Sequence, residues 1–120
     1  MLLVEDNEDM RALIRIVLEL SEHDIAITAE AKSGDEAIAS WRRERPDLVV
    51  LDYRLPGPTG LDVARTILAD DPATPIILFS AFLDDETVAT AASLGVRACV
   101  SKDDVRRLPD LIHALTPRCA

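Results

Sequence analysis

Five short, mostly apolar runs recur along the chain, and each is followed by a longer stretch whose apolar residues fall at helical spacing. The runs are Met1 to Val4, Ile25 to Ala29, Leu48 to Leu51, Pro75 to Phe79 and Ala98 to Val100. Leu48-Val49-Val50-Leu51 has no polar break, which is the pattern of a strand covered on both faces in a parallel sheet. Parallel neighbours need crossover connections, and helices supply them, so the alternation predicts an α/β domain with a parallel sheet.

The intervening segments carry helix signals. From Met10 to Leu20, the residues Met10, Leu13, Ile14, Val17 and Leu18 make an apolar stripe, with Arg11, Arg15 and Glu19 placed on the other face and Asp9 as N-cap. Ser33-Gly34-Asp35-Glu36 has the spacing of a capping box, and Ala37, Ile38 and Trp41 form the core-facing side of the helix it opens. Pro46 stops that helix. After the turn-rich Arg54-Leu55-Pro56-Gly57-Pro58-Thr59-Gly60, a helix carries Leu61, Ala64, Ile67 and Leu68. Asp84 to Leu94 reads as a helix stopped by Gly95, and a last helix carries Leu108, Leu111, Ile112 and Leu115, with Pro109 fitting its first turn.

At 120 residues and 48% hydrophobic positions the chain is expected to be one domain, residues 1–120, its last few residues forming a tail or the start of a linker. Its net charge of -9 argues against binding to nucleic acid or an anionic membrane, both of which are held by Lys and Arg. Cys99 and Cys119 form no C-x-x-C pair and are too sparse for a disulfide scaffold, no run is long enough to span a bilayer, and no signal-peptide pattern opens the chain. The expected compartment is the cytoplasm.

In open parallel sheets the ligand site lies beyond the carboxyl ends of the strands. The residues just past the expected strands are Glu5 and Asp6, then Asp52, Ser80 and Lys102. Carboxylates gathered this way repel one another unless a cation joins them, and hard oxygen donors suit Mg2+. Mg2+ so held leaves positions for phosphate oxygens, and a nearby Lys neutralises another, which is a phosphoryl-transfer arrangement. Asp52, delivered straight from a central strand, is placed to act as the nucleophile.

Set in this order, Leu-Leu-Val-Glu-Asp, Leu-Val-Val-Leu-Asp-Tyr-Arg-Leu-Pro-Gly-Pro-Thr-Gly-Leu, Ile-Ile-Leu-Phe-Ser-Ala and Ser-Lys-Asp make the whole chain resemble the receiver domain of two-component response regulators. The resemblance implies a flavodoxin-like, doubly wound five-stranded sheet of order 2-1-3-4-5 with helices on both faces. It implies that Asp52 accepts a phosphoryl group from a sensor histidine kinase or phosphotransfer protein. It further implies that Glu5, Asp6, Asp52 and the backbone carbonyl of Arg54 hold Mg2+. By the same resemblance Lys102 pairs with the phosphoryl oxygens, Ser80 is the switch hydroxyl, and Pro56 and Gly60 shape the loop. The implied partners are the kinase, an output domain or downstream protein, and a second copy through the face from the fourth to the fifth helix. The domain would signal rather than turn over a substrate, apart from slow autodephosphorylation.

The chain departs from that family at three positions. Cys99 stands where the switch aromatic is usual, Asp103 follows the Lys in place of Pro, and Glu5 is one methylene longer than the more frequent Asp. A receiver that acts without phosphorylation, as an interaction module, is the alternative that Cys99 raises. A flavin carrier is disfavoured, since Glu5-Asp6-Asn7-Glu8-Asp9 would repel a flavin phosphate and aromatics make up 3% of the chain. Trp41 reads as core, His23 and His113 as neither ligands nor phosphoacceptors, and Cys119 as a tail thiol.

Overall fold

The computed structural model describes residues 1–117, so Cys119 and the expected tail lie outside the described residues. Its elements follow the expected alternation: β1 (Leu2–Val4), α1 (Glu8–Glu19), β2 (Ala29–Ala31), α2 (Gly34–Glu44), β3 (Val49–Leu51), α3 (Gly60–Asp70), β4 (Ile76–Ser80), α4 (Asp85–Leu94), β5 (Ala98–Ser101) and α5 (Leu108–Leu115). A 3-10 segment, Lys102–Arg107, leads into α5. All strands are parallel, in the order β2-β1-β3-β4-β5, as expected. The order reverses between β1 and β3, and there the site is expected.

Strand alternation divides the core into two layers. Leu2, Val4, Val49, Leu51, Ile76 and Leu78 face one way, against Trp41 of α2 and Val63, Ala64 and Ile67 of α3. Leu3, Val50, Ile77, Phe79 and Val100 face the other, against Ile14 and Leu18 of α1 and Leu108 and Ile112 of α5. Each such side chain, when fully buried, contributes roughly 1.5–3 kcal/mol, and the sheet is held by both layers at once.

The structure corrects the sequence expectations at several places. The second strand is Ala29–Ala31, not Ile25 to Ala29. Glu30 at its centre made the segment look polar, but that carboxylate is matched by arginines of α1, while Ile25 and Ile27 pack under the second core layer outside the strand. The N-cap of α1 is Asn7 rather than Asp9: the Asn7 Oδ1 accepts from the Met10 amide at 2.9 Å, and Asp9 falls in the first turn, where the helix dipole favours it. The buried stripe of α1 is Arg11, Ile14 and Leu18, which leaves Leu13 and Ile16 exposed. Ser33 caps α2 through the Glu36 amide, but Glu36 reaches the Ser33 hydroxyl instead of its amide, so the box is half formed. The reciprocal box lies at Thr59 and Asp62, starting α3.

Three other expectations, at Gly95, Pro109 and Trp41, hold. Gly95 ends α4 in the left-handed region (φ 102°), Pro109 sits in the first turn of α5, and Trp41 is core at 1% exposure. His23 and His113 stack with ring centroids 4.1 Å apart, and the His23 Nε2 lies 2.8 Å from Asp110, at the sheet's opposite end from the acidic cluster. Among the described residues no helix is long and apolar enough to cross a membrane.

Candidate functional site

Register decides which side chains meet. Val4 of β1 pairs with Leu51 of β3, so Glu5 and Asp52 each stand one step beyond a matched pair. The Asp52 amide donates to the Val4 carbonyl at 3.0 Å and the Glu5 amide to the Ala31 carbonyl at 3.0 Å, which ties both residues to the sheet before their side chains project. Ser80 and Ser101 are partners in the β4–β5 ladder, so Lys102 is again one step past a matched pair. Glu5, Asp52 and Lys102 share the strand parity of Leu3, Val50 and Val100, the α1–α5 side.

The three groups converge. Lys102 Nζ donates to Asp52 Oδ2 at 2.9 Å and stands 2.6 Å from Glu5 Oε1. The second contact is an ion pair, and the buried Oε1 has room for a further electron-pair acceptor. The other oxygens are held by backbone: Arg54 N–H donates to Asp52 Oδ1 at 3.3 Å and Asn7 N–H to Glu5 Oε2 at 3.3 Å. Burial pushes the Glu5 carboxyl up to about 7, with the Asp52 charge adding to the rise and Lys102 opposing it. Lys102 is also drawn down by burial, but its two carboxylate partners outweigh that and hold it above its ordinary value.

Asp6, exposed, completes an acidic cluster in which one oxygen each from Glu5, Asp6 and Asp52 lie within 4.8 Å of one another. These residues fit a divalent cation: the donors are hard oxygens, they sit at a sheet edge, and the buried Glu5 Oε1 has an acceptor position to fill. Behind Asp52 the loop turns back so tightly that a Cβ on Gly60 would lie 2.2 Å from the Asp52 carbonyl oxygen, and the Gly60 amide donates to Tyr53 O at 2.8 Å. Glycine is required by that approach.

Ser80 is 2% exposed at the end of β4, on the opposite strand parity, that of Leu78, and its Oγ accepts from the Phe82 amide at 3.5 Å. Cys99 pairs in register with Leu78 and packs, half-buried, on the same layer, where burial raises its thiol. One residue of the neighbourhood reads in the sequence as helix surface: Arg11, 5% exposed, donates from Nη1 to the Glu5 carbonyl at 2.7 Å. Its signal was the 11-14-18 spacing with the two buried apolar residues of α1.

The site is a carboxylate cluster with a lysine at the topological switch point of a parallel, doubly wound α/β domain. Residues 1–113 match the family model of the response regulator receiver domain. The chain is 35% identical over 101 residues to Protein CcdB of Bacillus subtilis, covering 84% of this chain and 82% of that one. It is 36% identical over 110 residues to the transcriptional regulatory protein AfsQ1 of Streptomyces coelicolor, covering 92% of this chain but 47% of that longer protein. The crystal structure of a LuxR-family two-component response regulator from Aurantimonas sp. superposes with a TM-score of 0.87 at 32% identity, covering 95% of this chain and 81% of that one. The chain belongs to the response regulator receiver domain family of two-component systems, which are signalling domains.

Proposed function

We propose that this domain accepts a phosphoryl group on Asp52 from the phosphohistidine of a sensor kinase or phosphotransfer protein, with Mg2+ held by Glu5, Asp6, Asp52 and the Arg54 carbonyl. The observation that carries it is the junction of Lys102 with Asp52 and Glu5 at the strand edge. An Asp52 oxygen attacks phosphorus, the P–N bond breaks, and the imidazole leaves with the bonding pair and takes up a proton. Lys102, released from part of its contact with Asp52, stays within reach of the new phosphoryl oxygens. Bound Mg2+ supplies charge neutralisation on the transferring group. Water later cleaves the acyl phosphate, restoring the Asp52 carboxylate and releasing inorganic phosphate.

Phosphorylation adds charge and acceptor oxygens at Asp52, and Ser80 reaches them by drawing the loop after β4 inward, which biases the surface of α4, β5 and α5. The partner of that surface is an output domain, a downstream protein or a second copy of the chain, in the cytoplasm. The intact acidic set and Lys102 give the phosphorylation-independent alternative no support. Incubation with acetyl phosphate and Mg2+ tests the reading by intact mass: wild type gains one phosphoryl group, and Asp52→Asn gains none. Equal labelling of both, or labelling unchanged by a chelator, would overturn it.

A further inference from the structure

We propose that Arg11 is a positioning residue for the metal pocket, setting the direction of the Glu5–Asp6 turn through the backbone carbonyl of Glu5. The proposal rests on the reading of Glu5, Asp6 and Asp52 as metal ligands. On the β2 side the ladder ends at Val4 and Ala31, where the Glu5 amide makes its last bond, to the Ala31 carbonyl. The Glu5 carbonyl lies on that same edge, beyond the end of β2, and needs a donor from elsewhere. Arg11 Nη1 supplies it at 2.7 Å in a buried hydrogen bond. With its amide on Ala31 and its carbonyl on Arg11, Glu5 is held on both sides, and the peptide it shares with Asp6 has a fixed orientation.

The guanidinium is itself braced. Its Nε lies 3.4 Å from Glu30 Oε1, and Glu30 is gripped by Arg15, whose Nε donates to Oε2 at 3.0 Å and whose Nη2 contacts Oε1. Glu30 stands at the centre of β2, in register with Leu3, so the brace runs from the sheet through α1 to the pocket. An apolar side chain would fill the gap beneath α1 without the desolvation cost of a buried cation. What Arg11 alone adds is a directed donor for the carbonyl of a metal ligand. Such supporting hydrogen bonds typically change metal affinity by about 10- to 100-fold when removed.

Charge and positioning make opposite predictions, which allows a clean test with Mn2+ as probe, its free concentration read by electron paramagnetic resonance. Removing a nearby positive charge alone tightens cation binding. Removing a positioning donor weakens it. Arg11→Met is expected to bind Mn2+ about 10-fold more weakly with circular dichroism unchanged, and Arg11→Lys to recover part of the loss. Unchanged or tighter binding by folded Arg11→Met overturns the proposal. If Arg11→Met does not fold, Arg11→Lys decides, because it keeps the charge and alters only the donor: weaker Mn2+ binding than wild type supports the positioning role, and wild-type binding overturns it. Acetyl phosphate labelling of Asp52 is read separately; a wild type that is never labelled, together with the expected Mn2+ series, refutes the phosphoacceptor reading while the role of Arg11 stands.

Discussion

Lys102 joins Glu5 to Asp52, its ammonium 2.6 Å from one carboxylate and 2.9 Å from the other. This one cation serves two buried carboxylates, and it does not fully offset the burial and repulsion that act on Glu5. Glu5 shows the deficit, with its carboxyl raised from 4.5 to about 7.

A raised carboxyl favours the fold most below its unfolded value and loses that contribution as pH climbs through its folded value. For Glu5 the loss falls between about pH 4.5 and about pH 7. Glu5→Gln, which removes the titration, is therefore expected to gain in melting temperature relative to wild type between pH 5 and pH 8 when both are metal-free. Mg2+ needs the ionised carboxylate, so wild-type Mg2+ affinity should rise across the same interval and that of Glu5→Gln should stay flat. Parallel melting curves for the two proteins at every pH would contradict the burial account of Glu5.

Removing the shared cation should be costly. Lys102→Met leaves Glu5 and Asp52 adjacent and without a counter-charge, and breaking a buried pair in this way costs about 3 kcal/mol or more. Part of the cost should be recoverable: added Mg2+ is expected to raise the melting temperature of Lys102→Met more than that of wild type, because the metal meets an uncompensated cluster. Labelling of Asp52 should slow even at saturating Mg2+. An equal Mg2+ response in the two proteins would show that Lys102 does not offset the cluster's charge.

The loop behind Asp52 gives a steric prediction. A methyl on Gly60 would stand 2.2 Å from the Asp52 carbonyl oxygen and 2.8 Å from the Tyr53 Cα, both backbone atoms that side-chain rotation cannot move. Gly60→Ala should therefore displace the segment that carries Asp52, at a cost of roughly 1–3 kcal/mol, and slow its labelling by acetyl phosphate. A control at Gly57, whose Cβ would find only the flexible Asp35 carboxylate at 3.7 Å, separates crowding from backbone conformation, since its φ of 76° strains any side chain without pressing on Asp52. Urea denaturation and labelling rates measure both.

Much of this was legible because strand ends follow from continuous apolar runs. Leu48 to Leu51 and Pro75 to Phe79 located Asp52 and Ser80 without a structure, and the last run did the same for Lys102. What stayed hidden depended on partners distant in sequence. The second strand is shifted from the expected Ile25 to Ala29 onto Ala29–Ala31 because Glu30 breaks the apolar pattern, and Arg15, the residue that neutralises it, belongs to another element. Arg11 looked like solvent-facing surface because a helical wheel ranks Leu13 above an arginine, yet the sheet edge offered that arginine a carbonyl and a carboxylate and left Leu13 40% exposed. The Thr59–Asp62 box has no clear sequence signature, since Asp stands where the usual one has Glu or Gln.

Ser80 separates the chemistry from the switch. In the unphosphorylated protein its Oγ makes only a 3.5 Å contact with the Phe82 amide, at the long limit of a hydrogen bond, so deleting the hydroxyl removes little. Ser80→Ala is expected to change stability by less than about 1 kcal/mol and to leave Asp52 open to labelling, because Lys102 and the carboxylates are untouched. What it removes is the only hydroxyl group that the end of β4 offers to a phosphoryl oxygen. Hydrogen exchange of the loop from Ala81 to Asp84 should slow on phosphorylation of wild type and stay the same in Ser80→Ala, while Ser80→Thr, which keeps the hydroxyl, should respond like wild type. If the loop of Ser80→Ala still becomes protected on phosphorylation, the signal leaves Asp52 by another route, and the half-buried Cys99, beside Leu78 in the neighbouring strand, is the next position to vary.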